Sequence, residues 1–294
     1  MKPFFKHDAG EVRLYKRPSI AFLVLKYVTL TALLTFMMLP LVYLISTAFK
    51  PLNELFIFPP QFFVRNPTLN NFRDLFTSLA SSTVPYTRYL FNSLFITVII
   101  VFCTVFVSTL GAYGMVKHHP PGSKPFFQLV LAALMFSPYV TQIPRYLIVN
   151  SMGLVDTYWA LILPSIATAY NFFLIKQFVE QLPNELIEAS RIDGASEFGI
   201  YWRIIMPMLT PAWSTLIVFS FIGSWNDYFS PLIYIHKSAM QTLPLALHTV
   251  SGGSIGRAGA TAASAMLMTM PTVIVFLFTQ NKVMQTMAHS GIKG

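Results

Sequence analysis

The sequence predicts an all-α membrane protein with six transmembrane helices and both termini in the cytoplasm. Two features of its composition carry this prediction: 54% of the 294 residues are hydrophobic, and only 11% are Asp, Glu, Lys or Arg. A soluble domain carries about 25% charged residues. So few charges cannot cover a soluble surface, which excludes an ordinary soluble enzyme and a disordered chain. The third observation is a series of six apolar stretches of roughly the 20 residues that a spanning helix needs.

Three of the six predicted spans have a distinctive length or contain prolines. The first follows a basic tail but is longer than a signal-peptide core of about 7–15 residues, so we interpret it as an uncleaved anchor. The third contains Pro138 and Pro144, and Pro271 should kink the sixth unless neighbouring groups bind the carbonyl that it frees. In chain order the spans are Ala21–Thr47, Leu90–Val116, Phe126–Val149, Tyr158–Lys176, Ala212–Ile235 and Thr261–Gln280.

The distribution of basic residues sets the predicted orientation. Twelve lie in the two tails and the even-numbered loops, and seven, Arg145 among them, lie in the opposite loops. The positive-inside rule therefore places both termini in the cytoplasm, and it accounts for the net charge of +9 without nucleic-acid binding. The single cysteine, Cys103, excludes an intrachain disulfide and a cysteine-based zinc site.

This orientation divides the chain into a cytoplasmic tail, 1–20, and a six-span domain, 21–294. The domain contains an external loop, 48–89, a cytoplasmic segment, 177–211, and a cytoplasmic C-terminal tail, 281–294. The external loop is rich in Pro and Asn, and we expect short helices in it, such as Leu69–Leu79 capped by Thr68. The glycine-rich stretch 251–259 indicates either a flexible linker or a loop that touches an external partner.

The cytoplasmic segment 177–211 is too polar to span and too regular to be a slack loop. Pro183 and Asn184 suit the start of a helix, and Gly194 suits its end. Ser196 can cap a second helix that runs to about Met206. We therefore predict two short helices joined by a glycine turn, which could lie on the membrane surface or dock on a partner.

The motif within this segment resembles the EAA motif of ABC importer permeases. Glu188-Ala189-Ser190 is followed by Asp193-Gly194-Ala195, then by Ile204 and Pro207 at the motif's spacing. Ser190 in place of the second alanine and Met206 before the proline are departures from the pattern. The six spans, the long first loop, the stretch 221–227 (FIGSWND) and the ending 291–294 (GIKG) also resemble the smaller permease subunit of maltose-type carbohydrate ABC importers.

The resemblance implies a type I importer fold and a set of partners. These are a second homologous permease, two copies of an ABC ATPase that bind ATP and Mg²⁺, and an extracytoplasmic solute-binding protein. The chain itself would hold no cofactor and catalyse no reaction. It would lie in the cytoplasmic membrane of a prokaryote and pass a sugar or oligosaccharide by alternating access.

The resemblance also assigns residues to ATPase coupling. The helix around 185–194 would sit in a groove of the ATPase, and the C-terminal residues Gly291, Ile292, Lys293 and Gly294 would reach the same partner. The coupling residues are Glu185, Glu188, Ala189, Ser190, Ile192, Asp193, Gly194, Ala195, Ile204 and Pro207.

Polar residues inside the predicted spans are candidates for a substrate path, since they are costly in a membrane. Aromatic faces beside hydrogen-bonding groups suit a carbohydrate, but the same residues could simply join helices. The candidates are Trp225, Asn226, Asp227 and Tyr228 in the fifth span, Tyr139 and Gln142 in the third, and Tyr170 and Asn171 in the fourth.

Two other classes of function compete with this interpretation. An intramembrane enzyme would need a motif such as HExxH, HxxEH or GxSxG, which the sequence lacks; His118-His119 has no third metal ligand at helical spacing. A Walker A motif is absent too. An ion-coupled secondary transporter would need buried ionisable groups, for which the spans offer mainly Asp227 and Lys26, and it stays as the alternative.

Overall fold

The computed structural model describes residues 19–80, 84–251 and 258–291. These residues form fifteen α-helices joined by turns. In chain order the helices are α1 Ile20–Ala48, α2 Leu52–Leu55, α3 Asn70–Ala80, α4 Tyr86–His118, α5 Ser123–Leu134, α6 Gln142–Ser151, α7 Trp159–Ile166, α8 Ala169–Glu180, α9 Asn184–Ile192, α10 Glu197–Ile200, α11 Met206–Met208, α12 Thr210–Trp225, α13 Phe229–Tyr234, α14 Leu243–Ser251 and α15 Ala258–Gly291.

Four helical stretches are long and apolar enough to cross a membrane: α1, α4, α7 with α8, and α15 through Lys282. A fifth candidate is the pair formed by 197–208 and α12, which is bent by 78°. The predicted first, second, fourth and sixth spans thus correspond to these stretches. Pro271 lies inside α15, which continues without a break.

The third predicted span is not one helix, and the prediction was wrong on this point. Helix α5 has 12 residues and ends at Leu134, and α6 begins only at Gln142. Pro138 lies in the turns between them, where its ring and missing N–H do no damage to a helix. Pro144 is accommodated because it falls in the first turn of α6.

The fifth predicted span is also interrupted. Helix α12 ends at Trp225, and α13 restarts at Phe229. The carboxylate Oδ1 of Asp227 accepts hydrogen bonds from the backbone N–H groups of Phe229 (3.0 Å) and Ser230 (2.9 Å). Asp227 therefore caps the start of α13 and does not lie in the middle of a continuous helix.

Helix α4 is the centre of the bundle. It packs against α7, α8 and α12, and α12 in turn packs against α15. Buried apolar residues form three clusters along α4, one near its start, one in its first half towards α7, and one near its end. The buried amide of Asn92 links α4 to the segment before α14: its Nδ2 donates to the carbonyls of Ala239 (2.9 Å) and Gln241 (2.8 Å).

The connection between α1 and α4 is ordered by polar contacts. Helix α3 begins as predicted, with Thr68 Oγ1 accepting from the N–H of Asn70. Glu54 is buried and accepts from the N–H groups of Arg65 and Asn66 and from the Asn66 amide. The Arg65 N–H, helped by Asn66, lowers the pKa of the Glu54 carboxyl below its usual range.

Candidate functional site

The segment with the EAA-like motif is fastened to the far end of α4. Lys117 Nζ donates to the carbonyl of Leu182 (2.7 Å) and to Asn184 Oδ1 (2.8 Å). Ile187 is 3% exposed and packs in the cluster of α4, α8 and α10. Helix α9 is thus held by one apolar anchor and by one lysine at its start.

A left-handed glycine turns the chain out of α9. Gly194 has φ +79°, and Ser196 Oγ accepts from the N–H of Gly199 to cap α10, as predicted. Across the turn, Arg191 Nε donates to Glu197 Oε1 at 2.7 Å. The other oxygen of Glu197 accepts from the hydroxyl of Tyr113 (2.9 Å). His118 Nε2 lies 3.3 Å from the same oxygen, so the end of α4 contacts both sides of the turn.

The second half of the segment runs further than predicted. Helix α10 passes into a π-helical turn, Tyr201–Ile205, and then into α11, which contains Pro207. Tyr201 and Ile205 are buried, and Tyr201 shares a hydrogen bond of 2.7 Å with Thr109 on α4. This side of the segment therefore belongs to the core.

The proposed coupling residues divide accordingly into two groups. Ser190 is half-buried and donates to the Leu186 carbonyl (2.7 Å), and Ile204 packs on the core. Ile192 is an apolar side chain that is 86% exposed. The exposed group is Glu185, Glu188, Ala189, Ile192, Asp193, Gly194, Ala195 and Pro207.

The predicted C-terminal contact lies at the limit of the structure. Gly291 is the last residue of α15. Ile292, Lys293 and Gly294 fall outside the described residues. Their contact with an ATPase stays a prediction.

A second candidate site is an open cavity of about 320 Å³ bordered by α4, α6, α7, α8 and α12. It lies where helices stop: at the junction of α7 and α8, at the break between α12 and α13, and beside α6. Its polar lining comprises Ser93, Thr97, Arg145, Ser165, Thr168, Tyr170, Asn171, Ser220, Ser224, Asp227 and Thr242.

Three of the predicted path residues, Asp227, Asn171 and Tyr170, line this cavity, whereas Tyr139 and Gln142 are not among the lining residues. Trp225 and Asn226 instead connect helices. The Trp225 indole N–H donates to the carbonyl of Met268 on α15 (3.0 Å). Asn226 Nδ2 donates to the Ile222 carbonyl (2.9 Å) and lies 3.4 Å from Thr272 Oγ1.

Tyr228 also makes a contact between helices and does not line the cavity. Its ring stacks on that of His248 in α14, with ring centroids 4.2 Å apart. Trp225, Asn226 and Tyr228 thus contact other helices, and their part in a substrate path stays a prediction.

Arg145 was predicted to lie in a loop, but it is an exposed residue of α6 and lines the cavity. The available signal was a charged residue surrounded by apolar ones within the third predicted span, which is a functional candidate by default. The hydroxyls of Ser220 and Thr242 carried no such signal, because serine and threonine are common in apolar helices.

The described residues thus combine long apolar helices, a cavity with polar lining residues and an exposed segment beyond the end of α4. A family model described as "Binding-protein-dependent transport system inner membrane component" matches residues 18–283. The chain therefore belongs to this family.

Relatives and a solved structure agree with the family. Protein LplC of Bacillus subtilis (strain 168) is 36% identical over 275 residues, which cover 87% of this chain and 89% of LplC. The arabinooligosaccharides transport system permease protein AraQ of Halalkalibacterium halodurans is 31% identical over 261 residues, covering 87% and 91% of the two chains. In a crystal structure of a bacterial ABC transporter involved in the import of the acidic polysaccharide alginate, one chain has a similar fold, with a TM-score of 0.76 at 19% identity over 95% of this chain and 99% of that one.

Proposed function

We propose that this chain is a pore-forming permease subunit of an ATP-driven importer for a sugar or oligosaccharide. The observation that carries the proposal is the segment 184–208, in which the EAA-like motif is exposed on α9 while the neighbouring residues anchor it to α4. The carbohydrate cargo is supported by AraQ and by the alginate importer, whose names state such cargoes.

The coupling proposed here is mechanical. Helix α9 docks in a groove of an ABC ATPase, which binds ATP and Mg²⁺ and hydrolyses the nucleotide, so this subunit needs no cofactor. Because Lys117, Ile187 and Glu197 tie the segment to α4, a displacement of α9 is passed to the central helix of the bundle. The bundle, paired with a second homologous permease, then alternates between inward-open and outward-open states.

The orientation follows from the same assignment. Helix α9 and both termini face the cytoplasm of a prokaryote, and α2 and α3 face the solute-binding protein outside. In this arrangement α5 with α6 forms one broken span, and α12 with α13 forms another. Interrupted helices can cross a bilayer where the break is buried in protein. The chain then crosses six times, which places both termini on the same side.

The test is reconstitution with co-expressed partners. The chain is purified in mild detergent with the proteins that accompany it, placed in proteoliposomes and assayed for ATP hydrolysis and sugar uptake. We expect a second permease and an ATPase in the complex, and hydrolysis that rises when a sugar-loaded binding protein is added. Glu188→Lys should lose uptake, whereas Lys124→Gln, outside the segment, should retain it.

The alternative, an ion-coupled transporter without an ATPase, is favoured by one observation, the carboxylate of Asp227 at the cavity. It predicts uptake driven by a proton or sodium gradient in liposomes without ATP, and loss of that uptake in Asp227→Asn. Uptake by the isolated chain under an ion gradient would refute the importer proposal.

A further inference from the structure

The connection after α1 contains an apolar loop, residues 55–64, which we call the phenylalanine loop. Its ten residues include four phenylalanines and no charged residue. Phe58 is 91% exposed and Phe63 is 69% exposed, and Phe56 and Ile57 are exposed as well. A contiguous apolar patch on a protein surface is uncommon and marks a site of interaction with another protein or with a membrane.

The phenylalanine loop folds back along the end of α1. Ser46 Oγ donates a hydrogen bond to the carbonyl of Phe62 (2.8 Å), and the rings of Phe62 and Tyr43 pack with their centroids 5.6 Å apart. Tyr43 lies five residues before Ala48, the last residue of α1, which is about 7.5 Å along the helix axis. The loop therefore runs beside the last turns of α1 and does not project away from them.

The charges that flank α1 locate these turns relative to the membrane. Lys26 and Lys50 enclose 23 residues without Asp, Glu, Lys or Arg. In a helix this stretch extends about 34 Å, slightly more than the bilayer's hydrocarbon core of about 30 Å. Lys50 thus marks one boundary of the core, and its Nζ donates to the carbonyl of Gln61 in the phenylalanine loop. The loop consequently lies at the depth of the lipid headgroups and the first acyl carbons.

Further hydrogen bonds close the loop at its base. The N–H of Thr68 donates to the carbonyl of Phe49 at the end of α1 (2.8 Å). The buried carboxylate of Glu54 accepts from the N–H groups of Arg65 (3.0 Å) and Asn66 (2.9 Å). The backbone is therefore held in place while the phenylalanine rings stay uncovered, so little ordering is needed when the rings bind a partner.

The position and chemistry of the loop fit a lipid surface. Segments that lie in the membrane interface bury Trp, Phe and Leu side chains about 5–10 Å into the boundary between headgroups and acyl chains. Irregular backbone is excluded from lipid-exposed positions in the hydrocarbon core, but the interface supplies water and headgroups as hydrogen-bond partners. Helix α1 exposes Leu41 and Ile45 in the same turns, so lipid reaches this end of the helix.

We propose that the phenylalanine loop is an interfacial membrane anchor whose partner is phospholipid. Phe56, Phe58 and Phe63 insert into the headgroup–acyl boundary of the leaflet at the C-terminal end of α1. The anchor goes beyond the proposed function, because it requires only that α1 spans a membrane and depends on no cargo or ATPase. It fixes the depth of this end of α1 and, through the bond between Thr68 and Phe49, the height of the start of α3 above the bilayer.

The test is photocrosslinking in the complete importer. Phe58 is replaced by the photoreactive amino acid benzoylphenylalanine, and the co-purified complex is reconstituted into vesicles of phosphatidylglycerol and phosphatidylcholine with radiolabelled acyl chains. After illumination, with and without the binding protein, a gel separates adducts with lipid from adducts with a protein subunit. The same replacement at Phe63 gives a second reading. Replacement at Asp74, an exposed position of α3, controls for the apolar character of the probe itself.

We expect the lipid adducts from positions 58 and 63 to exceed the adduct from position 74 several-fold. With the probe at position 63, Phe58→Asp should lower the lipid adduct, because a carboxylate is costly to bury among acyl chains. Phe58→Leu, which keeps an apolar side chain, should retain the adduct. Neither variant should affect folding, since the side chain of Phe58 is almost fully exposed.

Three outcomes would overturn the proposal. The first is crosslinking from positions 58 and 63 to the second permease or to the binding protein in place of lipid, which would identify a protein-docking loop. The second is a lipid adduct no stronger than that from position 74. The third is an equal adduct in Phe58→Asp and Phe58→Leu. None of these outcomes decides whether the same vesicles take up sugar with ATP, which tests the proposed function separately.

Discussion

The guanidinium of Arg191 and the carboxylate of Glu197 pair across the Gly194 turn, with Nε and Oε1 2.7 Å apart. Both side chains are partly exposed, so water screens the pair and its attraction adds little to stability. Its importance is geometric, because Glu197 also binds the Tyr113 hydroxyl and thereby sets the position of α9 relative to α4. Among the described residues of 184–208, Gly194 is the one with a left-handed backbone, and this pair joins the residues on either side of it.

Glu197→Ala should loosen this segment while the bundle stays folded. Loss of the hydrogen bonds from Arg191 and Tyr113 should lower the local opening free energy by about 1–2 kcal/mol, so amides of 184–200 should exchange with solvent about 5–30 times faster. Hydrogen exchange of the purified complex measures this. Lys124→Ala, on α5 outside the segment, should leave these amides unchanged; equal acceleration in both variants would show that Glu197 has no special role.

Gly194→Ala should disturb the turn although the added Cβ meets no atom within 4 Å. An L-residue in the left-handed conformation costs about 1–2 kcal/mol, and asparagine less than alanine. We therefore expect the ratio of uptake to ATP hydrolysis to fall in Gly194→Ala and to recover partly in Gly194→Asn. Gly114→Ala on α4 is the control, because an added Cβ also meets no atom there and the backbone is helical. If Gly114→Ala lowers the ratio of uptake to ATP hydrolysis as strongly, the left-handed backbone of Gly194 is not the cause of the loss.

Two isoleucines on α9 separate folding from docking. Ile187→Ala removes a buried side chain and should lower the stability of the chain by about 2–5 kcal/mol. Ile192→Ala, at an exposed position, should change stability by no more than about 0.5 kcal/mol. It should nevertheless reduce capture of the ATPase in a pull-down, because exposed apolar residues often anchor interfaces. Full ATPase recovery with Ile192→Ala would argue that α9 docks through other residues.

The loop of Glu54 should respond to pH in the acid direction. Its folded-state pKa lies below the usual value of 4.5, chiefly because the Arg65 N–H binds the ionised form. A lowered pKa means that this stabilisation is present above the unfolded-state value and is lost as the pH falls through the folded-state value. Thermal unfolding of Glu54→Gln and wild type should therefore differ at neutral pH and converge in acid; a constant difference would exclude this role.

Gly259→Ala should be destabilising because α15 approaches the side chain of Asn71. An added Cβ would overlap the Asn71 amide, and Asn71 cannot easily move, since its Nδ2 donates to the carbonyls of Ala48 (2.9 Å) and Lys50 (2.7 Å). Overpacking of this kind costs about 1–3 kcal/mol. In a double-mutant cycle with Asn71→Ala, the stability lost in the double variant should be smaller than the sum of the two single losses, by about 0.5–3 kcal/mol. Strict additivity in thermal unfolding would contradict the contact.

Local sequence rules predicted the short helices of the segment 184–208. Asn184, Gly194 and Ser196 lie where they were predicted to start, end and cap helices, because these roles depend on the residue and its immediate neighbours. The contacts that hold the segment, such as Lys117 with Asn184, join residues 67 positions apart and leave no periodic signal.

The breaks in the third and fifth spans were missed for a related reason. Hydropathy measures composition over a window and is indifferent to whether the backbone is one helix or two. Asp227 was correctly singled out as polar, but its role as a cap for α13 depends on the turn that it stabilises. Arg145 was assigned to a loop by its charge, whereas in the fold it lies on α6 beside the same cavity.

Asn71 has a mechanical consequence beyond stability. Its amide joins α3 to the end of α1, and its side chain is in contact with the start of α15 at Gly259. Within the described residues, the first and last long helices thus meet the same side chain. A displacement of α3 would move the adjoining ends of α1 and α15 together.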